Sequence, residues 1–66
     1  MNLDGWNIEF YNAPVECEKE NLLMVLNANE NIVPNIGDVF WHDGNGYEVV
    51  RRHLDYENKI VSVNSQ

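Results

Sequence analysis

Asp43-Gly44-Asn45-Gly46 lies between two stretches of strand-like residues, Val39 to His42 before it and Tyr47 to Leu54 after it. Asp-Gly and Asn-Gly accept the positive-φ backbone of a tight turn, so this segment dictates a hairpin of two antiparallel strands. Asp55 to Asn58 reads as the next turn and Lys59 to Val63 as a third strand, which makes the hairpin a meander. Val33 to Asp38 is a turn leading into the first of these strands, with Gly37 as its hinge. Near the start of the chain, Trp6 to Asn12 alternates with period two. Trp6, Ile8 and Phe10 share one face and Asn7, Glu9 and Tyr11 the other, the pattern of a half-buried strand that can pair with the meander.

Val15 to Asn31 supports two readings. Glu16, Glu18, Lys19 and Glu20 before Leu22, Leu23, Met24 and Leu26 carry helical propensity, with acids at the favoured N-terminal end. Yet Val15-Glu16-Cys17 alternates, and Leu22 to Leu26 is equally a buried strand, which periodicity cannot separate from a helix over so short a run. The extended form is expected, with a short helix over Glu18–Asn27 as the alternative. The fold class is therefore mainly β, a small curled antiparallel sheet or barrel of 4–5 strands in a single domain spanning 1–66. It becomes α+β if the helix forms.

Size limits what such a sheet can do. A chain of 66 residues buries only about 60% of the surface that it exposes when unfolded. Cys17 is the single cysteine, so no internal disulfide reinforces the fold. Good packing, a homodimer or burial against a partner must supply the remainder. No apolar run approaches the roughly 18 residues of a membrane span, and Met1 to Asn7 lacks the pattern of a leader, so a reduced, cytoplasmic setting is expected. Eleven acids against four Lys and Arg give a net charge of −7. That balance repels phosphate backbones and argues against direct nucleic-acid binding, while it suits docking on a basic protein surface.

Pro34-Asn35-Ile36-Gly37-Asp38-Val39-Phe40, then Gly46-Tyr47-Glu48-Val49-Val50-Arg51-Arg52 and Lys59-Ile60-Val61-Ser62-Val63, resemble short SH3-like β-barrel proteins. The similarity is to small phage and mobile-element proteins with a Gly-Asp lead into one strand and a Tyr-x-Val return strand. It spans about Pro34 to Val63. The resemblance implies a small barrel and a binder or inhibitor of host proteins.

The residues with reactive side chains do not assemble into an enzyme. His42 and Asp43 are neighbours that a strand would turn to opposite faces, and His53 lies farther along, so no closed metal site is expected. Cys17 sits between Glu16 and Glu18, which dulls a thiolate, and Ser62 and Ser65 lie near the last strand's edge outside any nucleophile pattern. No cofactor is implied. Arg51 and Arg52 alternate across the sheet and are expected to pair with acids such as Glu48, Asp55 or Glu57. An alternative gives Arg51, Arg52, His53 and Tyr47 to a small anionic ligand such as a nucleotide. The aromatics point elsewhere. Phe40 and Trp41 fall on opposite faces of one strand, so one of them stands outside the core. Phe40, Trp41, Tyr47 and Tyr56, with carboxylates Asp43 and Glu48, are the expected protein-binding residues. The leading expectation is a non-enzymatic module that inhibits or modulates a host nucleic-acid-handling or defence protein. An accessory subunit that folds within an assembly is a further alternative.

Overall fold

Two-residue alternation survives in the structure as five strands. It is a computed structural model that describes residues 3–66; Met1 and Asn2, the start of the stretch read for a leader, lie outside the described residues. The strands are β1 (Asn7–Tyr11), β2 (Leu22–Asn27), β3 (Val39–His42), β4 (Asn45–Asp55) and β5 (Ile60–Ser65), in the spatial order β2-β1-β5-β4-β3. Every neighbouring pair is antiparallel except β1 and β5, which run parallel with Ile8 beside Val61 and Phe10 beside Val63.

The sheet is curled into a half-barrel. β1 and β3 stand three strand positions apart, which in a flat sheet would separate them by about 14 Å. Their side chains nevertheless meet, with the rings of Phe10 and Phe40 at 4.9 Å between centroids. The concave side holds the core of Trp6, Ile8, Phe10, Val49, Val61 and Val63, with Met24, Leu26, Val33 and Phe40 packed around it. Burying each of these aliphatic side chains contributes about 1.5–3 kcal/mol, the main stabilising term in so small a protein.

The ambiguous segment resolves as extended. Lys19–Asn21 forms one short 3-10 turn, and Leu22–Asn27 is β2 rather than the alternative helix. The reason lies in its neighbour. β2 pairs along the outer edge of β1, with a bulge opposite Phe10 and Tyr11, and turns Met24 and Leu26 towards the core. A helix would leave that edge of β1 unpaired.

β5 is the central strand, not an edge, and its polar end is buried. Asn64 and Ser65 are both 0% exposed. Asn64 Nδ2 donates to the carbonyl of Glu16 at 2.8 Å, which ties the loop after β1 onto the sheet. Ser65 Oγ donates to the carbonyl of Tyr11 at 2.8 Å. Removing a partner from such a buried bond costs about 1–3 kcal/mol. Ser65→Ala should therefore lower unfolding free energy by that amount in urea titration. Ser62→Ala, on the half-buried outer side of the same strand, should change it by less than about 0.5 kcal/mol.

Candidate functional site

The hairpin loop consists of Asp43 and Gly44 alone, both with positive φ (51° and 80°), so it is the type I′ turn that Asp-Gly favours. That length fixes the register: His42 faces Asn45, Trp41 faces Gly46, Phe40 faces Tyr47 and Val39 faces Glu48. Strand alternation would turn the His42 side chain away from Asp43. Because Asp43 leaves the strand conformation, its Oδ2 instead reaches His42 Nε2 at 3.4 Å.

Phe40 and Trp41 do point to opposite faces. Phe40 turns inward, edge-on to Phe10 and stacked on Tyr47 at 5.3 Å. Both Phe40 and Tyr47 are half-buried, and Phe40 packs against the core. Trp41 turns outward and is 73% exposed, beside Val39 at 57%. Its ring lies over Gly46, where an added Cβ would come within 3.3 Å of the indole, so glycine there lets the ring settle on the backbone. Glu48 and Asp43 are exposed on the same hairpin. Tyr56 is exposed too, but it stands in the turn at the far end of β4, edge-on to Trp6 at 5.3 Å. Of the expected protein-binding residues, Trp41, Asp43 and Glu48 thus stand exposed on one hairpin beside Val39, while Phe40 and Tyr47 are half-buried and Tyr56 lies at the far end of β4.

Backbone geometry adds what side chains alone did not reveal. β3 is the last strand of the sheet, paired only with β4. Glu48 spends both its N–H and its C=O on Gln66, at 3.0 Å each, and has none to offer Val39. Antiparallel pairs alternate between hydrogen-bonded and non-bonded, so Val39 and Trp41 direct their N–H and C=O groups outward. The two exposed side chains and the unpaired backbone belong to the same two residues. The two-residue Asp-Gly loop was a usable signal for this, since it sets the pairing phase.

The proposed anion-binding residues are not brought together. A bulge between Val49 and Arg51 re-phases β4, with Arg51 opposite Asn64, Arg52 opposite Val63 and His53 opposite Ser62. Unbroken alternation from buried Val49 would turn Arg51 and His53 inward; the bulge turns Arg52 and Leu54 inward instead. Neither arginine meets a carboxylate among the described residues, contrary to the expected cross-strand ion pairs. Asp55 is occupied by its own turn, accepting from Asn58 Nδ2 at 2.9 Å and from the amides of Glu57 and Asn58 at 3.1 Å each. The Asn58 side chain, then its amide, hold the Asp55 carboxyl below the usual range. Arg52 lies along an apolar cleft of about 280 Å³, formed with Leu3, Val33, Ile36, Leu54 and Val61. Its Nη1 donates to Pro34 O and Asn35 Oδ1, both at 3.3 Å. His53 has a buried Nε2 with no partner among the described residues.

No group of three or more His, Cys, Asp or Glu able to hold a metal occurs among the described residues, and no helix there is long and apolar enough to cross a membrane. Comparison of the chain with protein-family models, curated proteins and solved structures gives no match.

Tyr11 lies on the outer face of β1 yet is buried, and its hydroxyl donates to Glu9 Oε1 at 2.5 Å. Burial first, then this hydrogen bond, push its pKa well above the usual tyrosine range. The folded form therefore retains a proton that the unfolded chain releases above about pH 10, so stability falls as pH rises past that point. Tyr11→Phe should flatten this alkaline loss in unfolding titrations between neutral pH and about pH 11, while an unchanged slope would place the titrating group elsewhere.

Proposed function

We propose that this protein is a small, acidic, non-enzymatic binding module that occupies a surface on another protein. One observation carries the reading: Trp41 and Val39 stand exposed on a strand whose register is fixed by a tight turn. A tryptophan already held on a rigid strand loses little freedom on docking, and tryptophan is enriched among residues that dominate binding energy. The surroundings suggest the partner. Exposed Asp38 just before β3, Asp43 in its turn and Glu48 across from Val39 form an acidic rim around the strand, and neither β3 nor its turn carries a lysine or arginine. A basic protein surface fits that rim, and a host nucleic-acid-handling or defence protein is the kind of partner that presents one. The module then acts in the cytoplasm as an inhibitor or modulator by covering that surface.

Affinity capture from an extract of the cells that make it tests this, with wild type and Trp41→Ala side by side. A basic protein should be retained by wild type, lost by at least tenfold with Trp41→Ala, and released as salt rises, because salt screens opposed charges. Identical capture by both proteins would contradict the reading.

A second reading rests on Arg52, a cation without a carboxylate partner beside an apolar cleft. It assigns the cleft a small anion, with Arg52 alone of the four expected residues in contact. A nucleotide and organic-anion panel should then raise Tm in wild type and in Arg51→Ala but not in Arg52→Ala. The absence of any shift would remove this reading.

A further inference from the structure

We propose that the open edge of β3 pairs with β3 of a second copy of this chain, antiparallel and centred on Phe40. The inference goes beyond the partner-docking face, since it uses the backbone edge of the strand and not its outer surface.

Parity comes first. Val39 and Trp41 carry the outward N–H and C=O groups, while Phe40 and His42 spend theirs on Tyr47 and Asn45. In a two-fold antiparallel pair the numbers of facing residues have a constant sum. An odd sum would set an outward residue against an inward one and satisfy neither. Among even sums, placing Val39 opposite Val39 of the second copy puts Trp41 against Gly37, whose N–H already donates to Val49 O at 2.8 Å. Placing Trp41 opposite Trp41 sets Val39 against Asp43, which has left the strand conformation with φ 51°.

The register between them sets Val39 opposite Trp41 of the second copy, and Trp41 opposite its Val39. Each such pair exchanges two hydrogen bonds, so all four outward groups of the two residues are satisfied in both chains. A β-branched residue facing an aromatic across the strands is a favourable pair. Charge also permits this register. Asp38 falls opposite His42 of the second copy and Asp43 opposite Gly37, so no acid faces an acid along the seam of a chain with net charge −7. The joined sheet has ten strands, five from each chain. It gathers two copies of Val39 and Trp41 into one apolar patch on its outer face. The interface is short, of the size class of weak, reversible association. Both chains are acidic, so salt should strengthen the pairing, the opposite of its effect on docking to a basic partner.

Sedimentation of the purified chain over a wide concentration range tests the pairing. The mass should rise from 7.7 kDa towards twice that value with concentration, and further with salt. Val39→Pro removes one outward N–H, which an edge strand tolerates. It should leave the circular dichroism unchanged and hold the chain monomeric. If Val39→Pro unfolds the chain, cross-linking in a Cys17→Ser background decides the matter. Facing Cα atoms of a hydrogen-bonded pair lie about 5.5 Å apart, within disulfide range. Val39→Cys and Trp41→Cys should then link on oxidation several-fold more when mixed than when either is alone. A wild type that stays monomeric throughout, a dimer indifferent to Val39→Pro, or equal cross-linking of each variant alone would overturn the proposal.

Discussion

Everything in this fold depends on β5 lying between β1 and β4. The parallel join of β1 to β5 brings Ile8 and Phe10 beside Val61 and Val63, and that block is the centre of the core. Two buried polar side chains fasten it. Asn64 and Ser65 reach back to the carbonyls of Glu16 and Tyr11, so one strand end closes both the sheet and the loop that follows β1. In 66 residues without a disulfide, these bonds fix which strands are neighbours, while the apolar block supplies most of the free energy.

That arrangement also determines what stays open. With β5 at the centre and the sheet curled only halfway round, β2 and β3 are left as edges. On β3 the curl draws Phe40 inward onto Phe10 and so commits its neighbours Val39 and Trp41 to the outer side. The same alternation directs their backbone groups away from β4. An exposed tryptophan and an unpaired edge thus follow from a single packing choice. Natural sheets usually protect such an edge with charge, a bulge or a cover. Here acids flank it while its centre stays apolar, which suits a surface meant to be covered.

Much of this was legible in the sequence. Asp-Gly marked the hairpin, period-two alternation marked β1, and the Phe40/Trp41 parity placed one aromatic outside. What escaped has physical reasons. Leu22 to Leu26 suits a helix or a strand equally, and only pairing with β1, a contact distant in sequence, decides between them. Val49-Val50-Arg51 gives no sign of the bulge, because two adjacent valines leave the phase undetermined; the arginine facing the cleft was therefore unreadable. Ser62, Asn64 and Ser65 look like a solvated strand end, yet Asn64 and Ser65 are buried by bonds to main-chain carbonyls that no side-chain pattern encodes. His42 and Asp43 meet because the turn breaks the alternation used to separate them.

Val39 and Trp41 present an unpaired backbone edge alongside exposed side chains. Residue-resolved amide hydrogen exchange on a dilute sample reads that edge amide by amide. Val39 and Trp41 should exchange near the rates of unstructured amides, Phe40 and His42 should be protected, and Val61 and Val63 in the central strand should be the slowest. Equal protection of all four β3 amides under dilution would mean that β3 has no open edge.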